Sequence, residues 1–149
     1  MKTFNLILVT LLITSANAYG SDNTTTGYIY VGGPPINSYI VGSSTKEWFK
    51  VDLIAGTAYH MVAQAYENVG LTTYEVDLDT VAYLFDSTGK EIMANDDPYL
   101  PKYLAGIDYT PTISGTYYFG VKLYREVSSG FVISVVKSSP SCSTSCTSK

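Results

Sequence analysis

Charged side chains are scarce in this 149-residue chain. Asp, Glu, Lys and Arg make up 15% of the sequence, whereas an average globular chain has about 25%. The net charge at pH 7 is −4, with nine Lys and Arg residues in all. Such a chain lacks the basic surface that nucleic-acid binding requires. The composition therefore favours a domain that binds cations or uncharged partners.

The sequence also lacks the residue patterns of the common enzyme classes. His60 is the single histidine, and it lies in the strand-like stretch AYHMVAQ rather than beside a nucleophile. There is no G-x-S-x-G elbow, no H-E-x-x-H pair and no glycine-rich phosphate loop. Glu75 and Asp77 resemble a glycosidase carboxylate pair, but acids in a loop at a strand edge are ordinarily just solvated. We therefore expect no enzyme activity and assign no catalytic residue.

Only one long apolar run occurs, close to the N-terminus. Lys2 precedes the run over residues 4–13, and Ala16 and Ala18 occupy the A-x-A positions, which is the layout of a secretory signal peptide. The run is about half the length of the roughly 20 residues that span a bilayer. We expect residues 1–18 to be removed and the protein to be secreted, extracellular or periplasmic, without a membrane span.

The two cysteines, Cys142 and Cys146, lie in the C-terminal stretch SSPSCSTSCTSK. In an exported protein, two thiols four residues apart most simply close a small disulfide loop, with free thiols as the alternative. A metal site would need more ligands than this stretch offers. Its Ser, Thr and Pro composition predicts a flexible tail over residues 138–149. Residues 19–27 are similarly polar, which leaves one domain over residues 28–137.

The chain between residues 27 and 137 has the pattern of an all-β protein. Short apolar runs rich in β-branched and aromatic residues are separated by Gly, Pro, Asn or Asp clusters. Phe49, Val51 and Leu53 share one face of a predicted strand. The predicted strands are GYIYV, EWFKVDL, AYHMVAQAY, TVAYLFD, KEIMA, GIDYT, GTYYFGVKLY and FVISVV. Because no helix is available to cover a sheet, these eight strands predict two antiparallel sheets packed as a β-sandwich.

Turn residues support this prediction. DSTGK, at residues 86–90, has Asp and Ser ahead of a glycine, as a hairpin turn requires. Gly56 and Gly115 lie between strand-like runs, at positions where a positive φ costs glycine least. We expect each of these turns to join neighbouring strands over a short connection.

Four phrases in order resemble the bacterial pre-peptidase C-terminal domain: EWFKVDLIAGTAYHM, DTVAYLFDSTGKEIMANDD, AGIDYTPTISGTYYFGV and SGFVISV. The resemblance covers residues 28–136 and implies a jelly-roll-like sandwich. The chain departs from the family pattern at Glu47, where members commonly have aspartate, and at Ala82, where a large aliphatic is usual. No peptidase domain precedes the module in this sequence, so the family's role as an enzyme appendage is not expected to carry over directly.

The acidic turn NDD is a candidate calcium site. Calcium takes six to eight oxygen ligands, mostly carboxylates and carbonyls from loops, and the resemblance points the same way because related modules carry calcium. The alternative is that Asn and Asp end strands by hydrogen bonding to nearby backbone, which is the favoured role for Asp86. The predicted ligands are Asn95, Asp96, Asp97, Asp86 and Asp79.

Tyrosine is abundant, with 14 copies. Tyr99, Tyr103 and Tyr109 flank the acidic turn, and Tyr118 and Tyr124 are predicted to face away from the apolar stripe of their strand. Exposed tyrosines suit carbohydrate or protein ligands, so Tyr99 and Tyr103 are the predicted ligand-binding residues. The alternative is that the tyrosines only cover the outer faces of the sandwich.

Together these features predict a secreted, non-catalytic binding module, stabilised by calcium, that contacts an extracellular protein or polysaccharide. A second hypothesis is that the chain is an accessory, chaperone-like or inhibitory partner of a separately encoded secreted peptidase.

Overall fold

The computed structural model describes residues 20–40, 46–66, 79–96, 104–123 and 129–138, apart from the side chain of Tyr66. No helix forms in these ranges, so none of the described residues belongs to a helix that could cross a membrane. The predicted signal peptide and, apart from Ser138, the predicted C-terminal tail with its two cysteines lie outside the described residues. The strands are β1 Ile36–Ile40, β2 Glu47–Leu53, β3 Tyr59–Tyr66, β4 Thr80–Phe85, β5 Glu91–Asn95, β6 Leu104–Tyr109, β7 Gly115–Leu123 and β8 Ser129–Lys137.

The eight strands form two four-stranded sheets. Sheet 1 has the order β1-β8-β3-β6, and sheet 2 has the order β2-β7-β4-β5, with every strand pairing antiparallel. The pairs are nested, because β4 pairs with β5, β3 with β6, β2 with β7 and β1 with β8. The chain is therefore one long antiparallel ribbon folded over on itself, which is a jelly roll. The predicted antiparallel, all-β sandwich is confirmed.

The main core lies between the inner faces of the two sheets. Phe49 and Phe119 are paired across β2 and β7, and the Phe49 ring meets Phe131 of the opposite sheet edge-on, with centroids 6.2 Å apart. All three rings are fully buried. Thr80, also fully buried, donates its hydroxyl to the carbonyl of Ala63 at 3.0 Å and so ties β4 to β3 of the other sheet. The predicted inward faces of β2 and β7 are thus the faces that pack.

One predicted strand was wrong and one strand was missed. Residues 27–31, GYIYV, follow β2 with a single parallel bridge, between Tyr28 and Lys50, and end in a turn where the Gly33 amide donates to the Tyr30 carbonyl. The first strand is instead INSYI, β1. Two prolines precede it and it includes Asn and Ser, which is a composition typical of loops, so only its pairing with β8 makes it a strand.

The three predicted turns differ in what they connect. Residues 86–90 form the β4–β5 hairpin turn as predicted, and Gly89 has a φ of 84° there. Gly56 also has a positive φ, 75°. The loops that hold Gly56 and precede Gly115, however, join β2 to β3 and β6 to β7, which lie in opposite sheets. The prediction that these two turns join neighbouring strands was therefore wrong, because glycine marks a turn but not the sheet that the chain enters next.

Candidate functional site

Three of the predicted ligand residues lie at one end of the sandwich. Asp79 immediately precedes β4, Asn95 ends β5, and Asp96 follows it. Because Asn95 is paired beside Ala82, the start of β4 and the end of β5 lie at the same end of sheet 2. The Asn95 amide nitrogen donates to the Gly106 carbonyl of β6 at 2.6 Å. This bond ties the edge strands of the two sheets together. It uses the amide nitrogen of Asn95, and the amide oxygen is the second polar atom of that side chain.

The negative charge of Asp96 acts on the phenol of Tyr83. The pKa of the Tyr83 phenol is raised, first by burial of the ring and then by the negative charges of Glu91 and Asp96. Asp96 itself is exposed. Its carboxylate therefore contributes negative potential at the edge of sheet 2, where β5 meets β4.

Asp86 does not lie at the same end of the sheet as Asp79, Asn95 and Asp96. It follows β4 at the opposite end, four residues beyond Ala82, or about 13 Å along the strand. One carboxylate oxygen of Asp86 accepts hydrogen bonds from the Thr88 hydroxyl at 2.6 Å, the Thr88 amide at 2.8 Å and the Lys90 amide at 3.1 Å. These bonds, led by the one from the Thr88 hydroxyl, lower the pKa of Asp86. The Asp86 carboxylate therefore holds the hairpin turn.

The remaining predicted site residues lie elsewhere or outside the described residues. Asp97, Tyr99 and Tyr103 fall in a range that the structure does not describe. Within the described ranges, no three His, Cys, Asp or Glu side chains are grouped so that they could hold a metal ion. Tyr109, predicted to flank the acidic turn, lies at the far end of β6, where its ring meets Tyr117 with centroids 5.8 Å apart. Calcium binding therefore stays a prediction.

The outer face of sheet 2 carries an aromatic stack. The rings of Trp48 and Phe85 stack with centroids 3.8 Å apart and planes 16° apart, and Tyr83 lies parallel to Phe85 at 6.1 Å. Gly120, between them on β7, makes the stack possible, because a Cβ there would lie 2.8 Å from the Phe85 ring. The ammonium of Lys46 lies 3.5 Å from the centroid of the Tyr83 ring. The sheet thus covers its own outer face.

Tyr118 belongs to this stack as well. It faces away from the main core, as predicted, but it is only 7% exposed because Trp48 packs against it at 5.8 Å. For Tyr118 the structure therefore agrees with the alternative in which the tyrosines cover the outer faces of the sandwich. Trp48 is 8% exposed, and its indole nitrogen is buried without a hydrogen-bond partner in the described part of the chain. Sequence alternation placed both residues outward but gave no sign that they would cover each other.

The segment that precedes residue 28 closes the outer edge of sheet 2. The Trp48 amide donates to the Gly20 carbonyl at 2.9 Å, and the Trp48 carbonyl accepts from the Thr25 hydroxyl at 2.6 Å. The Lys50 amide donates to the Gly27 carbonyl at 2.8 Å. Thr25 is fully buried, at 1% exposed. From Gly20 onward, the segment predicted to precede the domain therefore pairs with it.

The outer face of sheet 1 is different, and we call it the open face. Near one corner of this face, where β3 pairs with the edge strand β6, His60 Nδ1 lies 2.7 Å from a carboxylate oxygen of Asp108. The side chain of Asp108 is 80% exposed, so the pair is solvated, unlike the buried acid and base of a catalytic triad. Two glycines, Gly106 and Gly130, also lie on this side of the sheet, and both are buried. The other outward residues, half-buried or exposed, are Asn37, Tyr39, Val62, Gln64, Leu104, Val132, Ser134 and Val136.

Comparison with known proteins supports the fold. No protein-family model matches the sequence, and no curated protein matches it. Among solved structures, the pre-peptidase C-terminal domain of a collagenase from Bacillus anthracis is similar, with a TM-score of 0.54 and 11% identity over 73% of this chain and 92% of that chain. The resemblance noted in the sequence is thus confirmed at the level of fold.

A second similar structure is PliG from Aeromonas hydrophila, a periplasmic inhibitor of g-type lysozyme. Its TM-score is 0.41 and its identity 13%, over 75% of this chain and 98% of that chain. A likeness at this level carries no argument about the present protein. The functional conclusion therefore depends on the surfaces of this chain alone.

Proposed function

We propose that this protein is a secreted, non-catalytic binding module that contacts an extracellular polysaccharide through the open face. The observation that carries the proposal is the contrast between the two outer faces. The outer face of sheet 2 is covered by the stack of Trp48, Phe85 and Tyr118. The open face instead presents amide, hydroxyl and imidazole groups on half-buried or exposed side chains.

The chemistry of the open face fits an uncharged ligand with many hydroxyl groups. Asn37 and Gln64 flank Val132 in one row across the sheet, and an amide side chain both donates and accepts hydrogen bonds. Asp108 is the one acidic side chain among these outward residues, and its carboxylate lies against the His60 imidazole, so the face offers little to an ionic ligand. Tyr39, half-buried at one end of the face, supplies the amphipathic ring surface that sugar rings favour.

A binding experiment tests this assignment. Retention on immobilised neutral polysaccharides and extracellular matrix proteins is compared for the natural chain and an Asn37→Ala, Gln64→Ala double variant. Loss of two hydrogen bonds, each about 0.5–1.5 kcal/mol, is expected to weaken polysaccharide binding about tenfold. The control is Lys122→Ala on the outer face of sheet 2, which is expected to bind normally. Retention only on a protein, or retention unaffected by the double variant, would contradict the assignment.

We also propose that calcium binds at the end of the sandwich where Asp79, Asn95 and Asp96 lie. The proposed ligands are these three residues and Asp97. The support is that strand pairing puts the first three at one end, and that the amide nitrogen of Asn95 is already engaged with Gly106. The amide oxygen and the carboxylates are the hard oxygen ligands that calcium prefers. Asp86 is left out of this set because it lies at the other end of β4.

Thermal unfolding with calcium and then with excess chelator tests the calcium proposal. Calcium at 100 times its dissociation constant is expected to add about 2.7 kcal/mol to stability, a rise of several degrees in Tm for a domain of this size. An Asp96→Asn, Asp97→Asn double variant is expected to lose that rise. Asp86→Asn is the matched control, since it weakens a turn but should keep the calcium response. If calcium does not change the Tm, the proposal is contradicted and the acidic turn NDD has only the role of a turn.

A further inference from the structure

Asn23 begins the single Asn-x-Ser/Thr sequence in the chain, Asn23-Thr24-Thr25. This is the acceptor sequence for N-linked glycosylation, which modifies surface loops of secreted proteins. Neither the open face nor the proposed calcium site includes these residues. Because three-residue sequences of this kind also arise by chance, the use of this one depends on whether the surface around Asn23 has room for a glycan.

Asn23 lies on an exposed turn. The Thr25 amide donates to the Asp22 carbonyl at 3.2 Å, which puts Asn23 and Thr24 at the two central positions of a four-residue turn. One carboxylate oxygen of Asp22 accepts from the Thr24 amide at 2.8 Å and from the Thr24 hydroxyl at 2.6 Å. The side chains of Asp22 and Thr24 therefore hold the turn, and the amide of Asn23, which is an exposed residue, takes no part in holding it.

The neighbouring hairpin turn leaves room beside the Asn23 amide. Gly89 lies in the β4–β5 turn with a φ of 84°, and it has no side chain to fill the space next to it. A Cβ placed on Gly89 would lie 3.8 Å from the Asn23 amide nitrogen and 3.8 Å from the edge of the Trp48 ring. A sugar attached to that nitrogen therefore has space beside Gly89 and an aromatic ring edge to pack against.

We propose that Asn23 carries an N-linked glycan. In the reaction, the Asn23 amide nitrogen forms a bond to the anomeric carbon of a lipid-pyrophosphate-linked oligosaccharide. The bond from that carbon to the pyrophosphate oxygen breaks, the amide nitrogen loses one proton, and the lipid pyrophosphate leaves, with no change of oxidation state. The proposal rests on secretion, which is part of the proposed function, but not on polysaccharide binding.

Glycosylation has to come before residues 20–27 pair with β2. The acceptor sequence requires a hydroxyl at its third residue, which here is that of Thr25. In the folded chain this hydroxyl donates to the Trp48 carbonyl at 2.6 Å, and Thr25 is 1% exposed. A transferase can therefore recognise the sequence only while the segment is unpaired. Asn23 is thus expected to be modified during export of the chain and not after folding.

Mass spectrometry of the protein recovered from the medium of the cells that naturally secrete it tests the site. The intact mass is expected to exceed that of the chain without residues 1–18 by one glycan, and a peptide N-glycosidase is expected to remove the excess and convert Asn23 to aspartate. Asn23→Gln should lose the extra mass, whereas Thr25→Ser, which keeps the hydroxyl, should retain it. A secreted chain without the extra mass, or an extra mass that persists in Asn23→Gln, would overturn the proposal. Absence of the chain from the medium would instead contradict the secretion on which both proposals depend.

The order of events is tested on the chain without residues 1–18, made in a host that does not glycosylate. It is incubated with solubilised transferase and a lipid-linked oligosaccharide, beside a Phe49→Asp variant. Phe49 is fully buried, so a charge there is expected to prevent folding, which circular dichroism checks. The folded natural chain is expected to be modified at least about tenfold more slowly than the unfolded variant, because its segment must first open. Equal rates would show that folding does not hide the acceptor sequence and would overturn the proposed order.

Discussion

Replacing Trp48 with alanine is expected to lower the free energy of unfolding by about 3–5 kcal/mol, a loss typical of large aromatic residues in a core. Trp48 lies on the outer face of sheet 2, yet it is 8% exposed and stacks on Phe85 at 3.8 Å. Its removal would also expose Tyr118, which packs against it. Urea unfolding followed by circular dichroism measures the loss.

Two further variants make this prediction specific to the stack. Trp48→Phe is expected to cost clearly less than Trp48→Ala, because a smaller aromatic ring can still stack on Phe85 and the buried indole N–H, which has no hydrogen-bond partner in the described part of the chain, is removed. Lys122→Ala, on the same outer face, is expected to change stability by less than about 0.5 kcal/mol. A Trp48→Ala cost as small as that of Lys122→Ala would mean that the stack adds nothing to stability.

A chain that begins at Tyr28 is expected to be less stable than one that begins at Gly20 by about 2–4 kcal/mol. The shorter chain loses the hydrogen bonds to the Trp48 amide, the Trp48 carbonyl and the Lys50 amide, and each bond contributes about 0.5–1.5 kcal/mol. It also leaves the edge of β2 open, which favours association with other chains. Thermal unfolding and light scattering measure the two effects.

Thr25 provides the matched variants for this second prediction. Thr25→Val keeps the shape of the side chain but removes the hydroxyl that donates to Trp48 and accepts from the Gly27 amide. It is therefore expected to reproduce part of the loss, about 1–3 kcal/mol for buried groups left unpaired. Thr25→Ser, which keeps the hydroxyl, should retain most of the stability. Equal stability of the two chain lengths would show that the domain begins at residue 28, as the composition predicts.

The parts of the fold that follow from local pattern could be predicted from the sequence. Alternation along EWFKVDL places Phe49, Val51 and Leu53 inward. The Asp-Ser-Thr-Gly turn predicts the hairpin between β4 and β5, the one pair among the described strands that is consecutive in the chain and adjacent in a sheet. The strand β1 could not be predicted, because its residues have a loop-like composition and only pairing with β8 orders them. The pairing of residues 20–27 with β2 could not be predicted for a similar reason, since hydrogen bonds to the backbone of β2 leave no periodic signal in a polar segment.

The candidate surfaces depended even more on long-range pairing. Asp79, Asn95 and Asp96 fall at one end because β4 and β5 are antiparallel, which the predicted hairpin already implies. The covered outer face of sheet 2 could not be foreseen, because Phe85 occupies the space above Gly120 of another strand. Without that cover, the two outer faces look alike in sequence, and the open face of sheet 1 has no reason to stand out.

The nested order of strand pairs also sets the order in which the chain can fold. The β4–β5 hairpin closes over a few residues, whereas pairing β1 with β8 brings residue 36 beside residue 133. Closing longer loops costs more entropy, and folds dominated by such distant pairings complete in roughly milliseconds to seconds. The central hairpin is therefore expected to form first and the outermost pair last. A chain that emerges N-terminus first thus has to keep β1 unpaired until β8 has been made.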